Sequence, residues 1–265
     1  MAIYVKPFHH KESGTLTYIV INKDDKKCAI IDSVLDYQES KIDTRFIDRV
    51  LGYIKSQGLF LEWVLDTHVH ADHLTASFYL HEKTGSKTGI SENHKIIQTK
   101  NNNKKTNISF LYSNYFKDGD LIFLGDIPVK IMETPGHTIT CLTYVIENYI
   151  FCGDLLLMPE VGCGRCDFDE GNANSMYKSG QNILSFPGNY KVCIGHNYPE
   201  KGKRYRFSSS IKVQKESNVY FNCNDKLTFI KKRTERDLLL PKPKLYDIAI
   251  PYNLYRLLPL SVTLG

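Results

Sequence analysis

The chain has 265 residues, is 42% hydrophobic and carries a formal net charge of +5. That size and the even spread of apolar runs fit a single domain over 1–265, with 219–265 as a C-terminal extension packed on it; no apolar run is long enough to cross a bilayer. Residues 1–6 lack the basic start and apolar middle of a secretory signal, and the lysines of 100–105 and 201 onward have no interleaved aromatics, so the expectation is a cytoplasmic protein with no membrane and no nucleic-acid partner.

In chain order, residues 15–22 and 28–33 are short β-rich runs joined by the polar turn 23–26, which predicts a hairpin. Residues 40–56 place Ile42, Phe46, Ile47, Val50, Leu51 and Ile54 at helical spacing, and Gly58 follows as a stop. The run 63–67 is β-branched and apolar, which predicts a buried strand, and 74–83 reads as the next helix. The tract 101–107 is polar, without apolar periodicity, and reads as an exposed loop. Strand-like runs follow at 121–124, 129–133, 142–146, 149–152 and 190–194, with Asn148 placed to turn the pair around it. In the tail, Phe221, Leu227, Phe229 and Ile230 stand among lysines, as a segment seeking a surface to cover would.

Between the 63–67 strand and the 74–83 helix lies His68-Val-His70-Ala-Asp72-His73, four potential metal ligands in six residues. In extended backbone, alternate side chains share a face, so His68 and His70 are expected to point at one spot, with Asp72 and His73 turned back towards it by the helix start. Imidazoles and a carboxylate gathered at a buried strand end are costly without a cation to neutralise and desolvate them together. Three later strands repeat the device. Residues 129–133 lead to Gly136-His137, 149–152 to Gly153-Asp154 and 190–194 to Gly195-His196, each ligand arriving through a glycine that lets the backbone turn beside a crowded site. Singly these are a turn or a helix cap; jointly they extend the metal site to His68, His70, Asp72, His73, His137, Asp154 and His196. Seven scattered cysteines fit reduced thiols, and Cys163-Gly-Arg-Cys166 lacks the second pair that zinc needs.

The order HxHxDH, GH, GD, GH resembles the metallo-β-lactamase superfamily, which implies an α/β (α+β) αββα sandwich of two mixed sheets flanked by helices. Gly162-Cys-Gly-Arg-Cys-Asp-Phe168, with Ile30-Ile-Asp-Ser-Val-Leu-Asp-Tyr37, resembles the persulfide (sulfur) dioxygenases, and the tail motifs His196-Asn-Tyr-Pro199 and Val213-Gln-Lys-Glu-Ser-Asn218 resemble their bacterial β-lactamase-like hydrolase branch. The chain departs from the family at Asn197, where Asp is common, at Thr138-Ile139 in place of Thr-Pro, and at Ser33 in place of Pro.

The resemblance implies one Fe(2+) per chain held by His68, His137 and Asp154, with His70, Asp72, His73 and His196 either orienting these groups or serving a second metal. Two histidines and one carboxylate leave open positions on Fe(II) for a persulfide sulfur and dioxygen, chemistry that redox-inert zinc cannot perform. By the same resemblance Arg165, with Asp167 and Tyr198, lines the pocket for glutathione persulfide, a guanidinium being suited to grip a carboxylate in paired hydrogen bonds. The expected activity is oxidation of glutathione persulfide with O2 to sulfite and glutathione, His68, His137, Asp154 and His196 forming the catalytic set; a homodimer is compatible with this. The rival is a two-Zn(2+) hydrolase of a thioester or lactone, similar to glyoxalase II, and a third reading is a catalytically dead persulfide or metal sensor. The interval from Asp154 to His196 is too short for the inserted domain of a superfamily nuclease.

Overall fold

The computed structural model of the protein describes residues 2–101, 111–168, 170–200, 202–222, 225–258 and 263–264. The first half runs β1 (Ile3–His9), β2 (Leu16–Asn22), β3 (Lys27–Ile31), β4 (Val34–Gln38), β5 (Lys41–Asp43), α1 (Arg45–Ser56), β6 (Phe60–Leu65), β7 (Leu74–Thr75), α2 (Ser77–Thr84), β8 (Lys87–Ser91), α3 (Asn93–Asn101) and β9 (Asn114–Phe116). The second runs β10 (Leu121–Leu124), β11 (Ile127–Glu133), β12 (Leu142–Ile146), β13 (Tyr149–Phe151), α4 (Ala173–Leu184), β14 (Lys191–Cys193), β15 (Ser208–Ser210), α5 (Ile211–Ser217), α6 (Lys226–Asp237), α7 (Tyr246–Tyr255) and β16 (Thr263–Leu264).

Two six-stranded mixed sheets face each other. The first has the order β1-β2-β3-β6-β8-β9, antiparallel at its β1-β2-β3 end and parallel beyond; the second has the order β10-β11-β12-β13-β14-β15, with one parallel pair, β13-β14. One core lies between the sheets and reaches the helices behind the second, joining Tyr18, Trp63 and Leu65 to Ile131, Tyr144 and Phe151 and on to Met176, Ile183 and Phe229. A second core fills the space between the other face of the first sheet and α1, α2 and α7. Strands β2 and β12 are buried on both faces, which follows from this layering. The sandwich expected from the sequence is therefore present, with one addition: a small third sheet, ordered β16-β5-β4-β7.

That addition moves two element boundaries. The helix expected from 40 starts at Arg45, because residues 41–43 pair with β4 after a tight turn in which Glu39 and Ser40 take positive φ; Ile42 is buried, but from a strand. The α1 start is then fixed by Asp36, whose Oδ2 accepts from the Phe46 N–H at 2.7 Å, and Phe46, Ile47, Val50, Leu51 and Ile54 give it a buried face. At about 1.5–3 kcal/mol per buried side chain, those five contribute on the order of 10 kcal/mol before entropy. The helix expected at 74–83 begins at Ser77, since Leu74 and Thr75 pair with Val34 and Leu35 as β7. The strand expected at 63–67 runs from Phe60 to Leu65. Most of the polar tract at 101–107 lies outside the described residues.

The tail joins both cores. Phe221 and Phe229 belong to the first and Ala249, Tyr252 and Leu254 to the second, whereas Leu227 is exposed. No helix among the described residues is long and apolar enough to cross a membrane.

Candidate metal centre

The sandwich edge where β6, β11, β13 and β14 end gathers all seven histidines and aspartates of the sequence motif. Two cross-links between the sheets hold this edge, Leu142 N–H donating to Thr67 O at 2.7 Å and Leu16 N–H to Gly195 O at 2.8 Å, while Gly195 N–H to Gly153 O at 3.0 Å continues the β13–β14 pairing. The glycines are there for space. A Cβ on Gly195 would fall 2.5 Å from Asp154 Oδ1, and one on Gly153, whose φ is +50°, 2.4 Å from Thr67 Oγ1.

The ligand atoms divide into two sets. His68, His137 and Asp154 bring one ligand atom each to within 4.8 Å of one another, and His70, Asp72 and His73 form a second set with the same limit. His68 and His70 thus serve neighbouring sets although their ring centroids are 4.1 Å apart. The chain leaves β6 at Leu65, so the irregular segment 66–73 rather than strand alternation aims these rings. His196 joins the sets: its Nε2 lies 3.3 Å from Asp154 Oδ1 and 3.7 Å from Asp72 Oδ2.

Hydrogen bonds on the outer side of each ring decide which nitrogen faces inward. The Thr67 hydroxyl donates to Asp32 Oδ2 at 2.9 Å, so it accepts from His68 Nδ1–H at 2.9 Å, leaving His68 Nε2 as a lone pair. His70 Nε2–H donates to Asp32 Oδ1 at 3.1 Å, leaving Nδ1, and His137 Nδ1–H donates to Arg165 O at 2.7 Å, leaving Nε2. His73 turns Nδ1 to Thr15 Oγ1 at 3.3 Å. The atoms left over, His68 Nε2, His70 Nδ1, His73 Nε2 and Asp154 Oδ1, are buried and have no hydrogen-bond partner. Unsatisfied acceptors are expensive in a protein interior, and here they converge, which is what a bound cation requires. The residues present therefore fit a metal ion.

Electrostatics agree. Burial holds the His68 and His70 imidazoles well below their ordinary pKa, so both keep their lone pairs at neutral pH. Burial alone would raise Asp72, but His196 and His73 outweigh it and hold the carboxyl well below the usual range. For His196 burial is outweighed by the carboxylates of Asp154 and Asp72, which raise it.

The residues expected to line a substrate pocket sit differently from one another. Arg165 Nε and Nη2 each lie 2.6 Å from an Asp167 carboxylate oxygen, and Nη1 donates to Pro241 O at 2.7 Å. The paired fork that a substrate carboxylate would use is thus occupied by Asp167; the residue's contribution to the centre is the carbonyl that orients His137. Tyr198 is 70% exposed, stacks on the His196 ring at 6.0 Å and lines a cleft of about 770 Å³ with Lys11, Lys203 and Arg204. Asn197 Oδ1 accepts from Arg206 N–H at 2.9 Å. Cys163 and Cys166 are buried free thiols. Around them Arg233 Nη1 donates to Cys163 O, and Cys166 N–H donates to Asp237 Oδ2.

Two orienting residues carry no role in the sequence reading. Asp32 lies within the 30–37 stretch and adopts φ +53° at the end of β3; fully enclosed, its carboxyl is raised to about 6 by burial despite the Thr67 donors. Its position after a buried strand was the available signal. Asn253, on α7, donates to His70 O at 2.8 Å and His73 O at 2.9 Å and accepts from Thr75 N–H at 2.9 Å. Nothing local in the sequence marks it.

Residues 11–196 match the family model described as the Metallo-beta-lactamase superfamily. The chain is 38% identical over 261 residues to glyoxylase B2 of Dictyostelium discoideum, covering 94% of this chain and 89% of that one. It is 37% identical over 257 residues to a beta-lactamase hydrolase-like protein of Xylella fastidiosa, covering 94% of this chain but only 59% of that relative's length. The mitochondrial persulfide dioxygenase ETHE1 of Homo sapiens is 29% identical over 260 residues, covering 95% and 88%. Among solved structures, ETHE1 from Myxococcus xanthus superposes with a TM-score of 0.79 at 31% identity, covering 95% of this chain and 98% of that one.

Proposed function

The chain belongs to the metallo-beta-lactamase superfamily, and from that premise we propose that it is a non-haem Fe(II) persulfide dioxygenase acting on glutathione persulfide. One persulfide, one O2 and one water give glutathione, sulfite and two protons. His68, His137 and Asp154 would hold one iron per chain, which would supply the redox change that zinc lacks and open positions for sulfur and dioxygen. The observation that carries this reading is the convergence of two imidazoles and one carboxylate within 4.8 Å, with His68 Nε2 and Asp154 Oδ1 buried and unpartnered and His137 Nε2 3.5 Å from Asp154 Oδ2.

In this reading Thr67 and the Arg165 carbonyl keep His68 and His137 in the required tautomers, and His196 steadies Asp154 from the far side. Val69, Ala71, Thr138, Phe168, Tyr246 and Ile250 form an apolar cleft flanking the ligand loop, which keeps bulk water from the reacting sulfur. The carboxylates of the thiol carrier meet Lys11, Lys203 and Arg204 in the cleft beside Tyr198. Arg165 acts through the loop it holds, its fork locked by Asp167.

The test is oxygen consumption by iron-loaded protein given glutathione persulfide. Uptake is expected, abolished by His137→Ala; rates equal to the metal-free control overturn the reading. A second reading, a two-zinc hydrolase of a thioester or lactone, is favoured by the completeness of the His70, Asp72 and His73 set and by the relative named glyoxylase B2. Protein purified without added metal separates them: about one iron per chain supports the dioxygenase and about two zinc the hydrolase.

A further inference from the structure

We propose that His10, Glu12 and Asp36 form a second, independent divalent-cation site, best suited to zinc, on the outer side of the loop that leads into β2. His10 is 4% exposed. Its Nε2 has no hydrogen-bond partner and points between Glu12 Oε2 at 3.3 Å and Asp36 Oδ1 at 3.4 Å. The three ligand atoms all lie within 4.8 Å of one another. A tetrahedral zinc with donors about 2.0–2.1 Å away holds them about 3.3 Å apart, so the side chains already stand at a coordination-sphere spacing.

The surroundings favour a cation over a simple ion pair. Burial, seconded by His73, lowers the His10 pKa in spite of the two carboxylates, so the ring is neutral at physiological pH and offers no charge to them. On its outer side His10 Nδ1 lies 2.8 Å from Ser13 Oγ and accepts from the Ser13 N–H at 3.3 Å; a cation at Nε2 would displace the ring proton to Nδ1, where Ser13 Oγ stands to accept it. Asp36 is held in the same manner, its Oδ2 engaged by the Phe46 N–H at the start of α1 and its Oδ1 left for the shared spot. Glu12 is exposed and completes the set from solvent. The three side chains share the wall of a cavity of about 540 Å³ that supplies room for a water or small anion at the fourth position. One imidazole with two carboxylates is a donor set that zinc accepts.

The site is wired to the main centre. From His10 Nδ1 the contacts run to Ser13 Oγ, on to Thr15 Oγ1 at 2.6 Å, and from there to His73 Nδ1 at 3.3 Å. The segment 10–15 that carries this chain of hydroxyls also bridges to His196.

The test counts zinc in the intact protein equilibrated with low-micromolar Zn2+ and freed of loose metal by gel filtration, comparing the parent with Glu12→Gln and His10→Gln. The parent is expected to retain one equivalent more than either variant, and Co2+ in place of zinc should give a tetrahedral visible band that Glu12→Gln removes while the bands of the main centre persist. Glu12 is exposed, so its isosteric amide leaves the fold intact even where His10→Gln does not. Equal metal content in the parent and Glu12→Gln, or identical Co2+ spectra, overturns the proposal.

Discussion

Asn253→Ala provides the sharpest test of how the ligand loop is held. The Asn253 side chain is buried and makes three hydrogen bonds to backbone that belongs to the loop and its exit: His70 O, His73 O and Thr75 N–H. Truncation strands two carbonyls and one amide, at about 1–3 kcal/mol for each buried group left unpaired. Relaxation and water entry recover part of this, which leaves an expected loss of about 3–5 kcal/mol, a large share of the roughly 5–15 kcal/mol that holds a typical domain folded. Because the groups released carry His70 and His73, metal affinity should fall about 10–100-fold, the usual effect of removing an orienting partner. Asn253→Asp separates hydrogen bonding from packing: it is isosteric and keeps the acceptor for Thr75, but sets an acceptor against both histidine carbonyls, so it should be no better than alanine. Urea unfolding followed by circular dichroism reads the stability, and competition with a chromophoric chelator reads the affinity. A loss under about 1 kcal/mol with parental metal affinity would refute the reasoning, as would a nearly neutral Asn253→Asp.

Gly195→Ala should empty the centre and loosen the sheet edge beside it, since its Cβ would stand 2.5 Å from Asp154 Oδ1 and 2.9 Å from the Gly153 backbone; elemental analysis showing parental metal content would contradict this. Asp32→Asn replaces the carboxylate that accepts hydrogen bonds from His70 and Thr67, and should weaken metal binding about 10–100-fold, measured by the same chelator competition. Metal removal with a strong chelator should lower the melting temperature, because binding at 100 times the Kd adds about 2.7 kcal/mol to the folded state; an unchanged melting curve argues that the centre is not filled. Burial pushes the thiols of Cys28, Cys141, Cys152 and Cys163 up to about 12, so at pH 8 none should react with iodoacetamide until the protein is unfolded, as mass spectrometry of the labelled peptides can establish. The sign for stability follows: the unfolded thiols ionise from about pH 9 while the folded ones stay protonated, so this contribution is whole below pH 9 and is lost as the pH rises towards 12.

The type of each ligand and its place at a strand end were legible in the sequence because both depend on short-range features. His68, His70, Asp72 and His73 follow an apolar β-branched run, and His137, Asp154 and His196 each follow a strand and a glycine, so a period of two and a turn residue suffice to place them at one edge. The strands were legible for the same reason, as separate apolar runs, whereas their assembly into a sandwich followed from the resemblance to the metallo-β-lactamase superfamily. The boundaries at Arg45 and Ser77 were not, since residues 41–43 and 74–75 become strand only by pairing with β4, a contact that local periodicity does not encode.

Tertiary structure alone decided which nitrogen of each histidine faces the centre, because that depends on acceptors brought from Asp32, Thr67 and Arg165 O. It also decided that the Arg165 fork closes on Asp167 and the Pro241 carbonyl, and that Asn253, some 180 residues along the chain, holds the ligand loop. Hydrogen bonds across such separations form when packing of the two cores brings the partners together, and no pattern within a strand or helix records them.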